Sequence, residues 1–151
     1  MIFSLKKSSG QSIDTVKGNK NTVYFNIGDQ MIFSLRYDRL LVAKKYYSFT
    51  SHVGYGFIPG DNDPPEPRHR IIVGGVNNLI GYKNIYLLLG VEPALYFYGN
   101  TTFVNLNGNF GFRYQGSYNR LFMQIAYNPI LYTTHDNAFD LPVSTGIGLM
   151  W

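Results

Sequence analysis

The chain of 151 residues contains no cysteine, so neither disulfides nor cysteine-ligated zinc hold it together. Charge is scarce as well, at 15% of residues. Long hydrophobic runs are missing. The longest nearly unbroken apolar stretch is Ile85–Val91, far short of the roughly 18 residues that a membrane helix needs. Aromatics, by contrast, are plentiful, with thirteen Tyr, eleven Phe and one Trp making up 17% of the chain. Disordered chains show the opposite balance, few aromatics and many charges. The formal net charge of +4 is unevenly spread. Residues 1–20 carry Lys6, Lys7, Lys17 and Lys20 against Asp14, and the remainder is nearly neutral. Lysines without interleaved aromatics are a poor nucleic-acid signature, and no nucleic-acid partner is expected.

Residues 1–21 are expected to form a flexible tail and residues 22–151 a single domain. The apolar opening Met1-Ile2-Phe3 is short and its lysines follow it. A secretory signal has the reverse order, with charge first and then about 7–15 apolar residues. The natural start of the protein lying upstream of Met1 is the other reading of this tail.

From residue 22 onward the hydrophobic period is two, the period of a strand. The segment 103–115 is the most telling. Val104, Leu106, Phe110, Phe112 and Tyr114 share one face, and Asn105, Asn107, Asn109, Arg113 and Gln115 share the other. In 120–132, Leu121, Met123 and Ile125 oppose Phe122, Gln124 and Ala126. In 85–98, Leu87, Leu89, Val91 and Leu95 oppose Tyr86, Glu92 and Ala94. The final segment sets Val143, Ile147, Leu149 and Trp151 against Ser144, Gly146 and Gly148. Segments 23–27, 31–41 and 46–57 alternate in the same way, placing Arg36, Asp38 and His52 on polar faces. Segment 70–81 is strand-like, but its two faces are hard to tell apart. Many of these eight segments run to 10–13 residues, whereas strands of globular proteins average about 5–6 and membrane-spanning strands need about 9–11.

A soluble barrel turns its large apolar face inward; a membrane barrel turns it outward to lipid. The polar faces here carry Arg36, Asp38, His52, Glu92, Asn105, Asn107, Asn109, Arg113 and Gln124. A soluble barrel would have to expose Leu121, Met123, Ile125, Val143, Ile147 and Leu149 to water or bury Arg113 and Glu92. The length and continuity of those stripes favour the membrane arrangement, with the nine polar residues forming a lumen network of paired charges. The connections agree. Short turns at 44–45, 82–84 and 116–119 alternate with connections that are mostly longer, at 59–69 and 133–140. Short turns at one rim and long loops at the other characterise outer-membrane barrels. Aromatics fall near both strand ends, including Tyr46, Tyr82 and Trp151 at one and Tyr55, Tyr96, Phe97 and Phe103 at the other, as interfacial girdles require.

Several stretches, Phe33-Ser-Leu-Arg-Tyr-Asp-Arg39, Gly111-Phe-Arg-Tyr-Gln115, Ala126-Tyr-Asn-Pro129 and Gly146-Ile-Gly-Leu-Met-Trp151, together resemble the small outer-membrane β-barrels of OmpX/OmpA-like type, in particular the porin-family barrels of Bacteroidetes-like bacteria. The resemblance implies an eight-stranded antiparallel up-and-down transmembrane β-barrel in a Gram-negative outer membrane. It also implies that Trp151, with Leu149 and Ile147, forms the terminal signal read by the barrel-assembly machinery. Outer-membrane lipid is then the main partner, with a surface partner reached through loops 59–69 and 133–140.

Catalytic and metal patterns are weak. One lipid-A deacylase family of such barrels places a Ser two residues after its His; here His135 is followed by Asn137 at that spacing. Ser51 and His52 are adjacent, so on a strand they face opposite sides. Asp61, Asp63 and Glu66 lack the spacing of a calcium loop. No enzyme activity, cofactor or metal is expected. The expected role is structural or surface-interacting, with a narrow channel or small-ligand barrel as the alternative, and a lipid-A-modifying enzyme or a soluble lipocalin-like carrier behind it.

Overall fold

Alternating sequence becomes alternating burial along most of the strands. The computed structural model describes residues 20–28, 31–58, 69–116, 120–134 and 142–151. Nine strands form: β1 Asn21–Gly28, β2 Met31–Ala43, β3 Tyr47–Ile58, β4 His69–Tyr82, β5 Ile85–Tyr98, β6 Thr101–Gln115, β7 Leu121–Tyr127, β8 Ile130–Thr133 and β9 Val143–Met150. Each strand from β1 to β6 pairs antiparallel with the next, β6 pairs with β7, β7 with β9, and β9 returns to β1. The result is a closed eight-strand antiparallel barrel with β8 as an additional short strand. Closure leaves the eight barrel strands without a free edge strand, while β8 pairs with β6 alone among the described strands. The proposed tail (residues 1–19 of it), most of both long loops (59–68 and 135–140) and His135, Asn137, Asp61, Asp63 and Glu66 lie outside the described residues.

The segment 120–132 is not one uninterrupted strand. It divides into β7 and β8 at Asn128-Pro129, and β8 pairs with β6 beyond the reach of β7. Pro129 has no N–H to give to a ladder. Its carbonyl instead accepts from the Gly108 N–H at 2.9 Å, and the Asn128 N–H turns to the Pro142 carbonyl at 2.5 Å. The two ends of the described chain are tied together. The N–H groups of Lys20 and Asn21 both donate to the Trp151 carbonyl at 3.0 Å, and the Trp151 N–H donates to the Asn21 carbonyl at 2.9 Å.

The faces of β4 are now distinct. Ile71, Val73, Asn77 and Leu79 point inward and Ile72 and Ile80 outward. Both faces are apolar, which is why alternation alone leaves them ambiguous. Along β4 and β5 the interior is layered. Ile71, Val73, Ala94 and Tyr96 form an apolar cluster toward the long-loop end, backed by Ile58 and Phe103. Leu79, Leu88 and Ala126 form another toward the short-turn end, with Tyr86 against it. Tyr24, Phe122 and Met150 form a third. The polar side chains Asn77 and Glu92 lie between the first two clusters along these strands.

The aromatic girdles are only partly as the sequence suggests. Tyr46, Tyr55, Phe57, Tyr82, Phe97 and Trp151 are exposed on the outside. Tyr96 and Phe103, however, stack at 4.7 Å with nearly parallel rings in the interior cluster. An aromatic at a strand end belongs to a girdle only when its position in the alternation points it outward, and Tyr96, two residues from Ala94, points in.

Candidate functional site: the polar interior

The interior of the barrel is where ionisable side chains converge. Arg36 on β2, Asp38 on β2, His52 on β3, Glu92 on β5, Asn105, Asn107, Asn109 and Arg113 on β6, and Gln124 on β7 are all buried. The alternation that puts them inside is the same one that turns Leu35, Val53, Val91, Phe112 and Met123 outward.

Seven of them, Arg36, Asp38, His52, Glu92, Asn109, Arg113 and Gln124, join two hydrogen-bonded groups. In the first, Arg36 grips Glu92 with both terminal nitrogens, Nη1 to Oε2 at 2.5 Å and Nη2 to Oε1 at 3.1 Å. A planar guanidinium matches a carboxylate in this two-point way. The Arg36 Nε also donates to Ser34 Oγ at 3.2 Å. His52 Nε2 lies 2.6 Å from the same Glu92 Oε2, and its Nδ1 lies 3.1 Å from Asn77 Nδ2. With the Asn77 amide donating to Nδ1, the ring proton sits on Nε2 and points at the carboxylate. The chain of contacts continues as Asn109 Nδ2 donates to Asn77 Oδ1 at 3.4 Å, Asn128 Nδ2 donates to Asn109 Oδ1, and Ser144 Oγ donates to Asn128 Oδ1 at 2.7 Å. It reaches from β2 to β9 through side chains alone.

The second group centres on Arg113. Its Nη2 donates to Asp38 Oδ2 at 3.0 Å and to Gln124 Oε1 at 2.9 Å, and its Nε donates to the same Gln124 oxygen at 3.1 Å. Thr50 Oγ1 donates to Asp38 Oδ2 at 3.1 Å. The guanidinium lies over the Phe122 ring, 4.9 Å from its centroid, and Phe122 in turn packs 4.5 Å from Tyr24. A cation over an aromatic face is attracted by the ring quadrupole, more strongly where water is excluded.

Each buried arginine thus has one buried carboxylate, Arg36 with Glu92 and Arg113 with Asp38. Such pairing is the condition for burying ions at all. Glycine makes room for it. A Cβ on Gly90 would meet Asn77 Oδ1 at 2.1 Å, and one on Gly75 would meet the Val91 carbonyl at 2.4 Å and His52 Cε1 at 2.8 Å.

Alternation did not single out Asn77, Thr50, Asn128 or Ser144 as network members. Asn77 sits on the strand whose faces look alike, and Asn128 immediately precedes the break at Pro129. Asn26 is a different case, because it is buried yet neither amide atom meets a hydrogen-bond partner among the described residues; the same holds for Arg113 Nη1.

Ser51 and His52 occupy opposite faces of β3, with only His52 fully buried. The position beside His52 and Glu92 where a cation would sit is filled by the Arg36 guanidinium, and no group of three or more His, Asp or Glu among the described residues is placed to hold a metal. Ile147, Leu149 and Trp151 are exposed on the outer face of β9 and at its end. Comparison of the chain with family models, with curated proteins and with solved structures finds no match.

Proposed function

We propose that this chain is an integral outer-membrane β-barrel with a polar, side-chain-filled lumen, and that it serves a structural or surface-interaction role without catalysis. One observation carries the reading. Among the described residues, thirty large hydrophobic side chains are exposed, whereas the buried hydrophobic set numbers ten and the buried set also includes Arg36, Asp38, Glu92 and Arg113. Water-soluble monomers rarely expose contiguous apolar patches of more than a few hundred Å². Here the apolar surface continues around the barrel, with a shallow groove of about 530 Å³ lined largely by Phe25, Ile27, Phe112, Met123, Ile125 and Ile147. Hydrocarbon is the solvent that suits such a surface, and a closed barrel satisfies its own backbone there. The resemblance to small outer-membrane barrels supports the same reading.

Eight strands leave an interior that side chains can fill. The apolar clusters on either side of Asn77 and Glu92 favour a filled lumen over a water path. The longer connections, rather than the lumen, are then the surfaces offered to partners.

The test is refolding into lipid vesicles. The expected outcome is a β-rich circular dichroism spectrum, heat-modifiable electrophoretic mobility and protection of the strands from added protease. A protein that stays in the aqueous phase, monomeric and protease-sensitive at its strands, overturns the membrane reading. Planar-bilayer conductance above background overturns the filled-lumen part. A change in lipid-A mass on expression, lost in His135→Ala, overturns the non-catalytic part.

A further inference from the structure

The two rims of the barrel differ sharply in charge. At the short-turn end, Lys20, Arg39, Lys44, Lys45, Lys83 and Arg120 are all exposed. The described segments at this rim, 20–21, 39–46, 81–86, 114–116, 120–121 and 150–151, contain no acidic side chain. The acids that accompany these strands, Asp38 and Glu92, are inside and committed to Arg113 and Arg36. In sequence, the connections at the other end carry Asp29, Asp61, Asp63, Glu66, Asp136 and Asp140, with Arg68 and Arg70 beside them. No exposed acid among the described residues offsets the six cations.

Part of this rim is organised as a cluster. The turns β2–β3 and β4–β5 are neighbours because β3 pairs with β4, and the Gly81 N–H donates to the Tyr46 carbonyl at 3.1 Å. Tyr46 and Tyr82 therefore meet, ring centroids 5.5 Å apart. Lys45 lies over Tyr46 at 5.1 Å and Lys83 over Tyr82 at 5.6 Å. A hydrogen bond with Tyr46 raises the pKa of Lys45 above the ordinary lysine value. Lys83 occupies the left-handed region at φ 59°, a conformation that L residues seldom adopt, which fixes where its side chain leaves the turn. Two ammonium groups and two phenols thus converge at the edge of the apolar surface.

We propose that this rim is a binding surface for anionic phospholipid headgroups, with the Lys45–Tyr46–Tyr82–Lys83 cluster engaging the headgroup phosphate. The inference rests on the membrane reading above and adds a lipid class and an orientation to it. Tyrosine rings suit the headgroup level, with an apolar body and a polar tip. Lysines beside a negatively charged surface gain from the surface potential, and the gain is screened within a Debye length. A rim with six cations and no acid attracts phosphatidylglycerol over a zwitterionic lipid. It also places the short turns at a headgroup layer that contains anionic phospholipid.

The experiment refolds the full chain into phosphatidylcholine vesicles and measures the partitioning of spin-labelled phosphatidylglycerol against spin-labelled phosphatidylcholine into the motionally restricted boundary layer. The expected result is a preference for phosphatidylglycerol of about fivefold. It should collapse toward unity at about 1 M salt, where the Debye length is about 3 Å. Lys45→Gln with Lys83→Gln should remove a large part of the preference and leave insertion intact. Equal partitioning of the two lipids in a protein that has inserted overturns the headgroup site alone. A preference unchanged in the double variant overturns the cluster as its location. Failure to insert overturns the membrane reading first.

Discussion

Val91 and Glu92 are consecutive on β5, yet Val91 is 42% exposed and Glu92 is wholly buried. In most proteins such a pair would be placed the other way round, because an ionised carboxylate removed from water is costly unless paired. Here Arg36 and His52 are the partners that make it tolerable. Outside, one valine among many exposed apolar neighbours needs no partner when hydrocarbon surrounds it. On the proposed membrane reading, the outer face is held by its solvent and the inner face by specific contacts. Substitutions on the two faces should therefore fail for different reasons.

The largest expected effect is on the inside. Glu92→Ala leaves Arg36 buried without its carboxylate and removes the acceptor of His52. Loss of one partner of a buried pair costs about 3–5 kcal/mol. The measurement is urea unfolding from vesicles, and a loss under about 1 kcal/mol would mean that water reaches the pair, since exposed pairs contribute about that or less. Next in size is the outer face. Val91→Arg places a cation on the outer face near the middle of β5; on the proposed membrane reading this costs about 2–4 kcal/mol at the bilayer midplane. If this variant unfolds from vesicles at the wild-type urea concentration, Val91 does not face hydrocarbon. The smallest effect separates one buried polar residue from another. Asn26→Val removes an amide that has no side-chain partner to abandon, so its cost should be below about 1 kcal/mol, since deleting an unpaired polar group strands nothing. A loss as large as that of Glu92→Ala would place Asn26 within the network.

Much of this was legible in the sequence because strand geometry is simple. The run Asn105, Asn107, Asn109 against Val104, Leu106, Phe110 assigns the faces of β6 without further help. Arg36, Asp38 and Glu92 fall on polar faces by the same count. What alternation does not supply is which of them meet. Asp38 and Arg113 are 75 residues apart in sequence, and Arg36 and Glu92 are 56 apart. Their pairing follows from the register of strands and the curvature of the closed sheet, both long-range properties. The strand β4 resisted because Ile71 and Val73 inside mirror Ile72 outside. Pro129 divides its strand through a missing backbone donor, which a pattern of side-chain polarity does not record. Tyr96 and Phe103 show the converse limit, since their type and position in sequence suit a girdle while their parity places them in the core.

The seam between β1 and β9 has a kinetic consequence. Thr22 pairs with Met150 and Gly28 with Ser144, so the contact that completes the cylinder joins residues from opposite ends of the described chain. Contacts of such separation slow folding, because the intervening chain must be ordered before they form. From β1 to β7 each stave can zip onto its sequence neighbour as a hairpin, and β9 joins β7 across β8; the seam with β1 waits. Until it forms, β1 and β9 each present an open row of backbone donors and acceptors, the kind of edge that recruits other strands. The interval before closure is therefore when the chain is most exposed to mispairing with its own copies, and an accessory factor that shields β1 until β9 arrives would act at that step.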